Sequence, residues 1–537
     1  MTRVLSLLAL AALLLSSCQE SGETAAPAAS ATGSTFAFAQ GTEPRSLDPG
    51  LATDTSAGFL ASNLFEGLLV WSADASELLP GVALRWETSQ DGRVWTFHLR
   101  EGAIWSNGDP VTATDFVLAW RRVLNPDTGS DYAALLFPIR GARALWEGEE
   151  VDAESLGVEA RDRYTLVVTL DNPTPWFPAI VAHHVLAPVN LRALKRHGYL
   201  WTRPENIVVN GPFTLESWAP GEQLVLARNP YYHSAQEVSL ARVVARISPD
   251  PAEVLSGYEA GDLHWTGHAS GLLPLERLRD LVKRDDAHSA ARLGTAWYVM
   301  NTRHSAFLDE RVRRALSVVL DRKALGMQAG PGAVEASSLV PPGIPAYPSA
   351  TGWTHDPDAA RKLLADAGYP GGRGFPEIEL AVDDRNIHRQ VAEWVVTTWK
   401  RELGVEARIF HRDWPVHAEA LDSEKFEVGR GGWVADYPDP ASFLELFTSE
   451  NPLNRTGWSH AGYDGLVGEA GQTQDAASRM RLLAQAEEVL AREGPVLPLF
   501  HFATVSLLSP RVTGYVDNPM GVHLLKYIGL DEAGSGS

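Results

Sequence analysis

Residues 377–410 constrain the fold more than any other stretch of this chain. Glu377 to Val382 reads as a strand, Asn386 to Leu403 as a helix, and Val405 to Phe410 as a second strand. Strands joined through a helix run parallel, because the helix carries the chain back to its starting end. The chain therefore holds a mixed α/β sheet with at least one parallel pair. Further signals alternate along the body without a long linker. Val94–Leu99 and Tyr164–Leu170 read as strands, and Asp115 to Leu124 as a short helix stopped by Asn125-Pro126. Asp309 caps a predicted helix through Leu320, and Asp356-Pro357 opens another that ends at Ala367-Gly368. A chain of 537 residues exceeds what one hydrophobic core supports, so two or more lobes follow.

The N-terminus has a different character. Arg3 precedes an apolar stretch from Val4 to Leu15, followed by Ser16, Ser17 and Cys18. Twelve residues cannot cross a bilayer core, which takes about 20 in a helix. A basic start, a short apolar middle and small residues describe a secretory signal. Leu15-Ser16-Ser17-Cys18 also resembles the bacterial lipobox, and the chain's single cysteine falls where lipidation requires it. Residues 1–17 thus read as a lipoprotein signal peptide. Residues 18–34, rich in Ala, Ser, Gly and Thr, read as a flexible tether. The expected location is the periplasm or cell envelope, lipid-anchored, with the membrane met only through that lipid.

Several function classes drop out on composition. Lys plus Arg is 46 against 67 for Asp plus Glu, a formal charge of −21 that disfavours nucleic acid. One cysteine excludes an intrachain disulfide and a cysteine-clustered metal site. No phosphate loop, dinucleotide fingerprint, HExxH helix or GxSxG elbow is present. His183-His184 lacks a completing ligand set, and Asp383-Asp384 carries little signal in so acidic a chain. No enzyme, cofactor or metal is expected.

Ordered fragments point to one family. Glu43-Pro-Arg-Ser-Leu-Asp-Pro49, Leu64-Phe-Glu-Gly-Leu68 and Trp95-Thr-Phe-His-Leu-Arg-Glu-Gly102 come first. Trp105-Ser-Asn-Gly-Asp-Pro-Val-Thr-Ala113, Asn210-Gly-Pro-Phe213 and Asn229-Pro-Tyr-Tyr232 follow, then Gly432-Trp-Val-Ala-Asp-Tyr-Pro-Asp-Pro440. From about Thr42 to about Phe502 the chain resembles the periplasmic oligopeptide-binding proteins of ABC importers, within solute-binding protein family 5, the peptide/nickel-binding family. The resemblance implies a periplasmic-binding-protein type II-like fold, two α/β lobes with crossing hinge strands plus an inserted third domain. Lobe I would comprise 35–78 with 205–293 and 499–530, the inserted domain 79–204, and lobe II 294–498. Ligand would be enclosed between closing lobes of a monomer and passed to the permease and ATPase complex of an importer.

It also implies a site. Asp436, in an apolar and aromatic setting, corresponds to the family aspartate that binds a peptide N-terminus; an ammonium supplies the charge and donors such a carboxylate needs. Gly432, Trp433 and Tyr437 match residues flanking the peptide, with Gly432 small enough for close backbone approach, and Tyr132 matches a tyrosine near the same end. Arg430 and His388 match residues that receive a peptide carboxylate, and Trp414 lines a side-chain pocket. Thr266, Gly267 and Phe502 match segments that pair with peptide backbone or line the cleft, and Glu66 is placed with them. The family's cysteine pair is replaced by Gly294 and Val434, and a second arginine by Leu421, so preferred peptide length and sequence are not fixed. The expected function is capture of oligopeptides for import. The alternative is the same scaffold binding dipeptides, murein peptides, haem, a nickel chelate or an oligosaccharide.

Overall fold

The computed structural model describes residues 34–148, 155–269, 271–330, 332–348, 352–383 and 386–531. Cys18 and the signal and tether segments before residue 34 lie outside the described residues. Three larger sheets organise the body. In the first, Thr35–Ala39 lies parallel to Arg242–Arg246, followed by Gln223–Arg228 and Phe213–Ala219 in antiparallel order. In the second, six strands run in the order Val334–Glu335, Val496–Leu507, Ala287–Met300, Val428–Val434, Ile378–Asp383 and Ala407–Arg412. The third is antiparallel, from Ala83–Thr88 through Val94–Leu99 and Thr165–Thr169 to Val158–Asp162.

The strand–helix–strand reading is realised: Ile378–Asp383 and Ala407–Arg412 are parallel neighbours, and the helix between them spans Asn386–Leu403. Trp399 anchors that helix, its ring buried and its Nε1 donating to Leu316 O at 2.8 Å. The second strand starts two residues later than its sequence pattern suggests. Gly404 takes a left-handed turn, and Val405 is drawn under the helix end as buried apolar filling instead of joining the strand. Val94–Leu99 is a strand as read, with the alternation half-buried, buried along its length. The helix expected from Asp115 begins at Ala113, because Thr112 is the cap and Asp115 its reciprocal partner, Oδ2 accepting from Thr112 N at 2.8 Å. The helix capped by Asp309 ends at Val318, short of Leu320.

Two long strands cross from sheet to sheet. Ala287–Met300 pairs antiparallel with Val496–Leu507, but the register breaks between Ala291 and Thr295. Beyond the break, Thr266 N donates to Leu507 O, and Trp265 bridges Phe38 of the first sheet and Leu508. Strand pairs continuous from one sheet into the other make this a two-lobed α/β fold with crossing strands. The six-stranded sheet is covered on one face by its own core, which includes Met300, Leu380, Val382 and Trp399. On the other face, Trp297 and Val299 belong to the core shared with the first and third sheets. Burial on both faces accounts for the nearly unbroken apolar run from Leu293 to Met300.

Candidate functional site

A cleft of about 2460 Å³ is lined by Asp54 and His268, by Tyr132 and Trp176 from the 79–204 segment, and by Trp433 and Asp436. Its wall is built on Val428–Val434. Gly432, Trp433 and Val434 lie opposite Ala296, Thr295 and Gly294. Past the strand, Ala435 N donates to Leu293 O at 2.7 Å, and Asp436 N to Ser442 Oγ at 3.1 Å. The turn that follows is locked from behind. Arg479 Nη1 and Nη2 donate to the two oxygens of buried Asp439 at 2.6 and 2.7 Å, and Asp439 Oδ1 also caps Ala441 N at 2.9 Å. The Arg479 guanidinium sits 3.8 Å over the ring of Trp176, itself a lining residue of the cleft.

Asp436 is half-buried at this wall, and no cation or hydrogen-bond donor among the described residues meets its carboxyl. Removal from water alone pushes that carboxyl up to about 7. Tyr132 lies across from it. Burial first, and the Asp436 charge second, hold the Tyr132 phenol well above its ordinary range. Tyr437 is buried beside Asp436, and Glu445 beneath it is also pushed up to about 7, by burial and then by Asp439.

At another part of the cleft, Arg430 and His388 meet one buried carboxylate. Arg430 Nη1 is 3.6 Å from Asp383 Oδ2, and His388 Nδ1 bonds the other oxygen. His417 Nε2 donates to the Arg430 carbonyl at 2.8 Å, fixing the strand from which the arginine projects. The two residues expected to receive a carboxylate are thus brought together, and Asp383 orients them.

The remaining expected residues separate into groups. Phe502 lines the cleft, its ring lying where side chains at Gly294 and Gly432 would be; a Cβ on Gly294 would fall 2.5 Å from it and one on Gly432 3.2 Å. The smallness of Gly432 therefore accommodates Phe502 and the Thr295 carbonyl as well as any ligand. Thr266 and Gly267 are buried behind the wall. The Thr266 hydroxyl accepts from Leu507 N at 2.9 Å, and Gly267 has φ +104 with its missing Cβ 2.2 Å from Ala39 O. They place His268 at the cleft and do not line it themselves. Trp414 opens the helix Trp414–Asp422, and its side chain lies outside the described residues. Glu66 is outside the cleft, bonded to Tyr232 Oη at 2.5 Å and His233 Nε2 at 2.7 Å, with Lys526 Nζ at 3.4 Å. Burial works to raise its carboxyl, but Lys526 and His233 hold it below the usual range. It is a structural tie between distant segments. The rings of His183 and His184 lie 4.2 Å apart and tilted by 34°, and His184 Nε2 donates to Ala52 O.

Two cleft residues, Glu445 and Arg292, were passed over by sequence reasoning, and Asp383, buried behind Arg430 and His388, was set aside there as one carboxylate among many. Asp383 had one usable signal, its place at the carboxyl end of a strand in a strand–helix–strand unit, where α/β folds bind ligands. Glu445 and Arg292 had none.

Comparison with known proteins adds to this geometry. The family model of the bacterial extracellular solute-binding proteins, family 5 (middle), matches residues 77–455. The periplasmic oligopeptide-binding protein OppA of Escherichia coli is 33% identical over 518 residues, 94% of this chain and 94% of that protein. The crystal structure of Haemophilus influenzae OppA in complex with RPPGFSPFR superposes with a TM-score of 0.83 at 29% identity, covering 93% of this chain and 99% of that one. The periplasmic murein tripeptide binding protein MppA, in its unliganded open form, gives 0.74 at 31% identity, covering 93% and 98%.

Proposed function

The chain belongs to the bacterial extracellular solute-binding proteins of family 5, and on that premise we propose that it captures oligopeptides outside the cytoplasm and delivers them to an ABC importer. Asp436 receives the ligand ammonium, with Tyr132, Trp433 and Tyr437 around it. Arg430 and His388, oriented by Asp383, receive a carboxylate, while Phe502 lines the peptide's path and Trp414 a side-chain pocket. Residues 35–78, 205–293 and 499–530 form one lobe and 294–498 the other, with 79–204 inserted. Cys18 carries a lipid that tethers a monomer to the membrane. The observation that carries the reading is the Asp436 carboxyl, which lines the cleft and has no cation beside it among the described residues. A desolvated carboxyl of this kind gains most from a ligand that brings both charge and donors.

Native mass spectrometry of the full chain, purified without refolding, tests this. Co-purified peptides within a narrow range of lengths are expected, on a protein whose mass begins at Cys18 and includes acyl chains. A co-purified sugar, haem or metal chelate in place of peptide would sink the peptide reading. An unmodified Cys18 would sink the anchor.

The electrostatics of the site set a pH dependence. In the free protein Asp436 titrates at about 7, whereas a free peptide α-ammonium titrates at about 8. Binding needs the first ionised and the second protonated. Affinity for peptide should therefore peak between pH 7 and 8 and fall on either side by up to about tenfold per pH unit. Below pH 7 complex formation releases a proton, and above pH 8 it takes one up. Calorimetry in buffers of different ionisation heat reads both signs. Glu445 titrates in the same range, so the acid limb must vanish in Asp436→Asn to be assigned to Asp436. A flat profile from pH 5 to 9 would contradict the pairing.

A further inference from the structure

Arg292 stands at the register break of the strand Ala287–Met300 and lines the cleft. Its guanidinium packs on Gly521, where a Cβ would fall 1.7 Å from Nη1, and Nη2 donates to Met520 O at 3.1 Å. Nε is buried and has no acceptor among the described residues. No carboxylate acts on the group; burial draws its ionisation down to about 10, and Tyr515 alone opposes. The nearby rings of His268 and His523 are held neutral, each with its ionisation drawn down to about 3, chiefly by burial. Asp517, the acid of this neighbourhood, is engaged by His288 Nδ1 at 2.8 Å and Tyr515 Oη at 3.2 Å.

The other arginines of the cleft differ. Arg430 has Asp383, Arg143 has Glu147, Arg455 has Asp422, and Arg45 is exposed to water. Arg292 is the counterpart of Asp436, a desolvated charge at the cleft without a counter-charge. The hydrogen bond from Ala435 N to Leu293 O joins residues adjacent to both, so the two charges branch from neighbouring backbone. Neither acts on the other. Burying an unpaired guanidinium is costly, and a ligand carboxylate would offset that cost with charge-assisted hydrogen bonds.

We propose that Arg292 is an anion subsite that takes a ligand carboxylate close to the ammonium at Asp436, so that the cleft favours peptides with an acidic side chain near the N-terminus. The ligand class rests on the peptide reading above; the anion subsite is testable without it.

Calorimetry with peptides of one length compares Glu with Ala at the second position, each with a free or amidated C-terminus. Wild type should bind the Glu peptides about tenfold or more tightly than the Ala peptides, whichever the C-terminus. Arg292→Met should bring that ratio close to one while leaving the Ala peptide's affinity in place. Should Arg292→Met not fold, Arg292→Gln keeps a donor for Met520 O and serves the same comparison. If amidation carries the difference and Arg292→Met cancels it, the subsite stands and the ligand's C-terminus fills it. Equal ratios in wild type and variant would overturn the proposal. A second arm uses N-acetylglutamate α-amide against N-acetylglutamine α-amide, probes with no ammonium that differ by one carboxylate. The acid should raise the thermal midpoint of wild type above that given by the amide, and Arg292→Met should lose this gain. Failure of every peptide to bind, with this anion effect intact, would count against the peptide reading and leave Arg292 standing. A wild type indifferent to every carboxylate would remove the subsite.

Discussion

Asp436→Asn is expected to lower affinity for a peptide with a free N-terminus by a hundredfold or more near pH 7.5, where wild type binds best. The substitution keeps the shape of the side chain and removes its charge. Nothing else among the described residues can take over, since no other group meets the Asp436 carboxyl and Tyr132 offers a neutral phenol. An ammonium enclosed against an amide is a buried charge without its partner, which costs about 3–5 kcal/mol, or two to four decades in Kd. N-acetylation of the peptide should cost wild type a similar amount and the Asn variant much less, because both changes break one interaction. A four-way calorimetric cycle decides it. Additive losses, or an unchanged Asn variant, would remove Asp436 from the ligand's N-terminus.

The second large effect is on stability. Arg479 is 4% exposed and pairs through both terminal nitrogens with Asp439. Arg479→Met leaves Asp439 without its cation and half-buried Glu445 without its one attractive charge. A loss of about 3–5 kcal/mol is expected, read as a fall in the urea midpoint. The sign of its pH dependence follows from what remains. With the cation gone, the ionised form of Glu445, already pushed up to about 7, is disfavoured further, so the deficit should shrink as pH falls below 7 and that carboxyl takes up its proton. The Asp439 turn carries Ser442 and thereby Asp436, so peptide affinity should fall in the same variant. A deficit under about 1 kcal/mol, or one that grows in acid, would show that the pair does not hold this wall.

The elements that the sequence made legible are those with local causes. Asn386–Leu403 and Val94–Leu99 were readable to the residue because amphipathic spacing and flanking turn residues act within one segment. The delayed start of Ala407–Arg412 depended on where Val405 could be buried, which is a tertiary matter. That Asp436, Trp433 and Tyr437 lie together at the cleft was legible because they share one short motif. Glu66 was misplaced with the ligand set because a motif match says nothing about Lys526, which is 460 residues away and neutralises it. Asp383, Glu445 and Arg292 owe their character to burial among strands far apart in the chain, and no local pattern encodes that.

The pair Gly294 and Val434 has one more consequence. These residues face each other across two strands at the wall that presents Asp436, with the Phe502 ring filling the space beside them. With the chain's one cysteine at position 18, everything from residue 34 onward is free of thiols. Folding of the body therefore waits on no oxidase and leaves no mispaired crosslink to be shuffled. The wall is held by packing, hydrogen bonds and the Arg479–Asp439 ion pair, none of which depends on a thiol or on the thiol–disulfide balance of the medium. The binding surface should work equally well in an oxidising and in a reducing medium.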